Sequence, residues 1–136
     1  MTADPAALLA LAAECEAAGG PDRELDARVW VALHGGEIVA LQPGYVQSGD
    51  WSAIGFTQTY TASVDAALFL LREVLPGWGS SLWTVESNDY PRRPHEVSIW
   101  PPAPIAMQYF SASAPTLPLA LVVAVLRAVA ARGDAP

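Results

Sequence analysis

The sequence predicts an α+β domain, a three-layer helix/antiparallel sheet/helix sandwich in the order α-α-(β)-α-β-β-β-α. Three observations carry that expectation. Four segments combine a capping residue with apolar residues at helical spacing. Three segments between residues 81 and 111 read as strands and follow one another through connections that suit an antiparallel meander of three to four strands. Finally, 52% of the 136 residues are hydrophobic and only 15% charged, so helix stripes and both faces of a sheet have apolar area to bury.

Asp4-Pro5 starts the first helix, because Asp caps well and Pro suits the first helical position. Residues 6–18 are alanine-rich, with Leu8, Leu9, Leu11 and Cys15 as the apolar stripe, and Gly19-Gly20 ends them. Pro21 opens a second helix that runs to His34, with Asp22 and Glu24 in its first turn and Leu25, Val29 and Leu33 at i, i+4, i+8. The tight junction makes residues 5–34 a helical hairpin.

Residues 37–41 read as a short strand. Residues 43–59 read as an irregular loop, rich in Gly, Ser and Gln, that holds Tyr45, Trp51 and Phe56. Ser63 caps a third helix over 63–75, with Val64, Ala67, Leu68, Leu71 and Leu75 as its stripe, and Pro76-Gly77 closes it. The sheet spans 81–111: a strand at 81–87, a connection at 88–94, a strand at 95–100 ended by Pro101-Pro102, and a strand at 105–111. Pro115-Thr116-Leu117-Pro118 starts the last helix, over 116–132. The sequence shows no internal repeat, and 1–136 is expected to be a single domain.

Charge and composition exclude several functions. All seven basic residues are arginines, against fourteen acids, for a net charge of −7. That balance speaks against wrapping duplex nucleic acid and against an anionic membrane surface. The single cysteine, Cys15, permits no intrachain disulfide, and Met1-Thr2-Ala3-Asp4-Pro5 shows no basic region of a signal peptide, so a cytoplasmic protein is expected. The apolar stretch 117–126 contains Pro118 and meets Arg127 before reaching the roughly 20 residues a membrane span needs, and reads as a buried helix.

Catalytic signatures are missing. The two histidines and one cysteine form no metal-ligand spacing. Without lysine there is no Walker site and no Schiff base, and there is no Gly-x-Ser-x-Gly elbow. No catalytic residue, metal or cofactor is expected. Two features remain. The run Tyr90-Pro91-Arg92-Arg93-Pro94-His95 gathers positive charge in an acidic chain, and guanidinium forks suit phosphate oxygens. Aromatic residues also collect at loops and strand ends (Tyr45, Trp51, Trp78, Tyr90, Trp100), where flat rings can stack on a base. Trp30, Phe69 and Trp83 lie on regular elements and read as core.

The runs Gly-Pro-Asp-Arg-Glu-Leu-Asp-Ala-Arg at 20–28, Tyr-Thr-Ala-Ser-Val-Asp-Ala-Ala-Leu at 60–68 and Leu-Pro-Leu-Ala-Leu at 117–121 resemble small proteins of bacteriophages and prophages, those of the phage ABA sandwich domain family. The likeness covers residues 6–132. It implies a sandwich of helices about a small sheet and an origin in a phage or high-GC prophage, and it supplies no catalytic residue. Small phage accessory proteins of this size include inhibitors of host defence that sequester nucleotide-derived immune signals.

The leading expectation is therefore a non-enzymatic phage-derived protein that sequesters a small anionic nucleotide-type signal, as a homo-oligomer. Tyr45 and Trp51 would close over the base, Arg92 and Arg93 would hold phosphates, and Tyr90 and His95 would line the site. One alternative is an acidic module that docks on a host protein through a stripe of Glu14, Glu16, Asp22, Glu24 and Asp26. Another is a cyclic-nucleotide phosphodiesterase with His34 or His95 as general acid–base.

Overall fold

The structure is a computed structural model that describes residues 3–39, 43–47, 54–84, 95–102 and 109–133. Its helices are α1 (Pro5–Ala17), α2 (Arg23–His34), α3 (Val64–Val74) and α4 (Leu117–Gly133). Each begins at a residue whose side chain accepts hydrogen bonds from the first turn. Asp4 Oδ1 accepts from the Ala7 N–H at 2.8 Å, and Asp22 Oδ1 from Glu24 and Leu25 at 2.8 and 3.1 Å. Ser63 Oγ accepts from Ala66 at 3.2 Å and Thr116 Oγ1 from Leu119 at 3.4 Å. Such caps contribute about 1 kcal/mol each by satisfying otherwise orphaned donors. Pro21 stands just before the α2 cap and does not open the helix.

The α1 face that packs is Leu8, Leu11, Ala12 and Cys15, at i, i+3, i+4, i+7. Leu9 lies one residue off that face and is exposed, a correction to the expected stripe that follows from the 100° turn per residue. Residues 119–126 of α4 are all fully buried. A helix apolar all round has to be enclosed on every side, and α4 packs against α1, against α3 and against a sheet. Among the described residues no helix is long and apolar enough to cross a membrane.

The strands form two antiparallel sheets of three, β1-β2-β3 and β4-β5-β6. Their members are β1 (Glu37–Ile38), β2 (Tyr45–Gln47), β3 (Ile54–Phe56), β4 (Gly79–Trp83), β5 (Glu96–Trp100) and β6 (Phe110–Ser113). The α+β class and the meander order agree with the sequence reading, but the strands divide between two sheets. The expected loop over 43–59 holds β2 and β3, whose three residues each are too few to show an alternating pattern. The expected third strand at 105–111 is β6, which starts at Phe110; residues 103–108 lie outside the described set.

The second sheet lays Val97, Ile99 and Ala112 into the core, with α4 packed against all three of its strands. Its other face carries Ser81, Ser98 and Ser111 in one cross-strand row, with the last two hydroxyls 2.9 Å apart. The first sheet packs on α2 through β1 and β2. Gly36, at φ 95°, makes that possible: a Cβ there would stand 2.3 Å from the Gln47 carbonyl oxygen. Only glycine admits both the positive φ and the close approach.

Candidate ligand-binding groove

Residues 57–61 leave β3 and cross the start of α2, where a buried acid fixes them. Asp26 is fully buried. Its Oδ1 accepts from the Thr61 N–H and the Thr61 hydroxyl, both at 2.8 Å, and its Oδ2 accepts from Arg23 at 2.9 Å. The Asp22 N–H donates to Thr61 Oγ1 at 2.8 Å. Arg23 then donates to the Thr57 carbonyl at 2.9 Å and the Gln58 carbonyl at 3.3 Å. Burying a charge is costly unless every lone pair is answered, and this carboxylate is answered by an ion pair and two further donors.

The same network presents aromatic rings to the surface. The Arg23 guanidinium carbon lies 5.9 Å from the centre of the Phe56 ring, within cation–π range. Tyr45 packs on Phe56 with centroids 4.6 Å apart. Gly44, at φ 85°, lets the chain pass close to Arg23, since a Cβ there would meet the guanidinium at 2.6 Å.

Between β2–β3 and α3 lies a groove of about 290 Å³. Val46, Phe56 and Thr57 form one wall, Phe69 and Glu73 of α3 another, with Trp30 and Tyr60 completing it. Phe56 is 61% exposed and Phe69 50%. Thr57 is only 7% exposed, yet its hydroxyl has no hydrogen-bond partner among the described residues. An unsatisfied buried hydroxyl costs about 1–3 kcal/mol. Thr57→Val is therefore expected to raise stability by about 1 kcal/mol, read by urea unfolding, by removing that cost at nearly constant volume. A loss of stability would mean that the hydroxyl is already satisfied.

Glu73 also faces a second cavity, of about 680 Å³, formed by the start of α1 and the ends of the other three helices, with Asp4, Leu33, Val129 and Arg132 among its lining. Across the boundary Glu73 Oε1 pairs with His34 Nε2. His34 Nδ1 sits 3.1 Å from the Trp30 carbonyl oxygen, and its ring stacks on the Trp30 indole at 5.2 Å. Both ring nitrogens of His34 thus lie beside oxygen atoms of the protein. Burial, together with the charges of Glu73 and Asp26, pushes the Tyr60 hydroxyl up to about 12.

Of the residues expected at the site, Tyr45 lies beside the groove, on β2. His95 is elsewhere: it stands just before β5 of the other sheet at φ 56°, a strained value for a residue with a side chain, and its buried Nδ1 has no partner among the described residues. Tyr45 and His95 thus stand on different sheets. Trp51, Tyr90, Arg92 and Arg93 lie outside the described residues. Of the three aromatics expected in the core, Trp30 does pack half-buried against it while also lining the groove, whereas Phe69 lines the groove at the surface and Trp83 is exposed. The signal for Phe69 was available, since it falls out of phase with the buried Ala66, Ala67, Leu70 and Leu71. Thr57 and Glu73 carry no sequence mark.

The acids do not form a free stripe. Asp26 is buried, Asp22 caps α2, Glu14 pairs with Arg28 and Glu16 with Arg127. Among the described residues no group of three His, Cys, Asp or Glu could hold a metal ion.

In fold the chain is similar to the crystal structure of a phage protein from Bacillus cereus, with a TM-score of 0.56 over 82% of this chain and 93% of that one, at 14% sequence identity. No protein-family model matches the chain, and no curated protein does.

Proposed function

We propose that this chain is a non-catalytic, phage-derived binding protein of the ABA sandwich kind, which sequesters a small nucleotide-type signal by taking its base into the groove. The observation that carries the reading is the groove itself, whose lining gathers the rings of Trp30, Phe56, Tyr60 and Phe69. Rings supply stacking area that tolerates many planar ligands. Support for phage descent comes from the fold likeness and from the sequence runs at 20–28 and 60–68.

The groove accounts for the base and not for the phosphates. Glu73 is its charged lining residue, and the nearby Arg23 already holds Asp26 and the Thr57 and Gln58 carbonyls. Phosphate recognition in this reading falls to Arg92 and Arg93, and the exposed rings of Phe56, Phe69, Trp83 and Tyr109 are the surfaces on which we place self-association.

Calorimetry and thermal shift against mononucleotides, cyclic dinucleotides and cyclic ADP-ribose isomers test the reading. A ligand held at about 100 times its Kd is expected to add about 2.7 kcal/mol of stability. Phe69→Ala, at an exposed position, is expected to weaken binding roughly tenfold while leaving the melting temperature nearly unchanged. No stabilisation by any of these ligands, or equal binding by Phe69→Ala, overturns the reading.

A further inference from the structure

We infer that the groove selects a guanine-type base, one whose edge carries two adjacent N–H donors, through the carboxylate of Glu73. The inference rests on the nucleotide reading above and names the base.

A base seated between Phe56, Phe69 and Trp30 meets Glu73 as the charged group of the groove. A carboxylate only accepts hydrogen bonds. Oε1 holds the His34 ring nitrogen, while Oε2 has no hydrogen-bond partner among the described residues. Each oxygen has two lone pairs, so Oε1 retains one and both oxygens can accept from a ligand. Two parallel acceptors call for two parallel donors, the geometry that makes paired contacts with carboxylates selective.

Among the bases, guanine sets its ring N1–H beside its exocyclic amino group. Adenine and cytosine each place a bare ring nitrogen next to their amino group, so one lone pair would face a carboxylate oxygen. Uracil and thymine flank their single ring N–H with carbonyl oxygens. Each mismatched edge leaves an acceptor against an acceptor in a partly desolvated site, which is penalised more than a bond is rewarded. The same charge turns phosphate away, so the phosphate end points out of the groove. His34 acts here as a positioning residue: its bond to Glu73 and its stacking on Trp30 fix the direction of the carboxylate.

Titration calorimetry with GMP, IMP and AMP on the unmodified protein and on Glu73→Gln provides the test. IMP keeps N1–H and lacks the amino group, so it probes one donor without altering the protein. GMP is expected to bind roughly tenfold or more tightly than AMP, with IMP between them. Glu73→Gln, which replaces one acceptor by a donor, should remove most of the preference. A pentanucleotide with one central dG separates sources: displacement of GMP at equal guanine concentration assigns single strands as a source, and its absence assigns free nucleotides, either supporting guanine recognition.

Equal affinities for GMP and AMP in the unmodified protein overturn the inference and leave nucleotide capture standing. A preference that survives Glu73→Gln also overturns it. Binding of neither GMP nor AMP, nor of any ligand in the wider panel, overturns both.

Discussion

Asp26→Ala is expected to cost about 3–5 kcal/mol, the range for removing one partner of a buried ion pair. The Thr61 amide and hydroxyl would lose their common acceptor, and Arg23 would lose its counter-charge while still held against two carbonyls. A domain this size has only about 5–15 kcal/mol in total, so the variant should sit close to its unfolding threshold at 25 °C. Asp26→Asn is the informative companion. It keeps one acceptor for Thr61 but turns an amide N–H₂ toward Arg23, and should cost less while loosening residues 57–61. Urea unfolding at pH 7 reads both. A cost below about 1 kcal/mol for the alanine would show that solvent reaches this carboxylate. Because the segment carries Thr57, the asparagine variant should also bind more weakly while remaining folded.

Alkaline pH is expected to destabilise the protein by about 4 kcal/mol between pH 8 and pH 11. Burial pushes the Cys15 thiol from 9.0 to about 12 and the Tyr60 hydroxyl from 10.0 to about 12. Both groups are neutral when protonated, and the folded state keeps them so. The unfolded chain releases the thiol proton near pH 9 and the phenol proton near pH 10. Above those values the unfolded state binds fewer protons than the folded one, so stability falls as pH rises. By pH 11 the thiol contributes about two units and the phenol about one, at 1.36 kcal/mol each. Denaturant midpoints from pH 8 to 11 measure the fall, and Cys15→Ala should move its onset from about pH 9 to about pH 10. A flat profile would mean that neither group is shielded.

The helices were legible because their signals are local. Asp4, Asp22, Ser63 and Thr116 each act within three residues, and the stripes of α1 and α3 recur at helical spacing. Strands β4 and β5 were legible for a similar reason, with Val97 and Ile99 alternating against Glu96 and Ser98. The first sheet was not. Its strands are two or three residues long, β2 buries only Val46, and their pairing depends on Gly36 allowing the close approach of Gln47.

The groove was harder still. Its rings come from α2, from β3 and from α3, elements brought together by the buried contact of Asp26 with Thr61, 35 residues away. Long-range pairing of this kind leaves no trace in local composition. Tyr45, which packs on Phe56 beside the groove, is conspicuous in the sequence as an aromatic in a Gly-rich segment. Phe69 is not, because a position on an amphipathic helix already accounts for an apolar ring.

The enclosure of α4 has a consequence for how the chain acquires its shape. Its packing against α1 unites segments far apart in sequence, and the Arg127–Glu16 pair spans 111 residues. During synthesis the first helix emerges long before its main partner exists, so Leu8, Leu11 and Cys15 wait with their apolar side open to solvent. The closing segment supplies the missing surface for α1, α3 and the second sheet together. Acquisition of the native state is therefore expected to be a late, all-at-once event gated by the last helix, and nascent chains that stop short of it should depend on holdase chaperones.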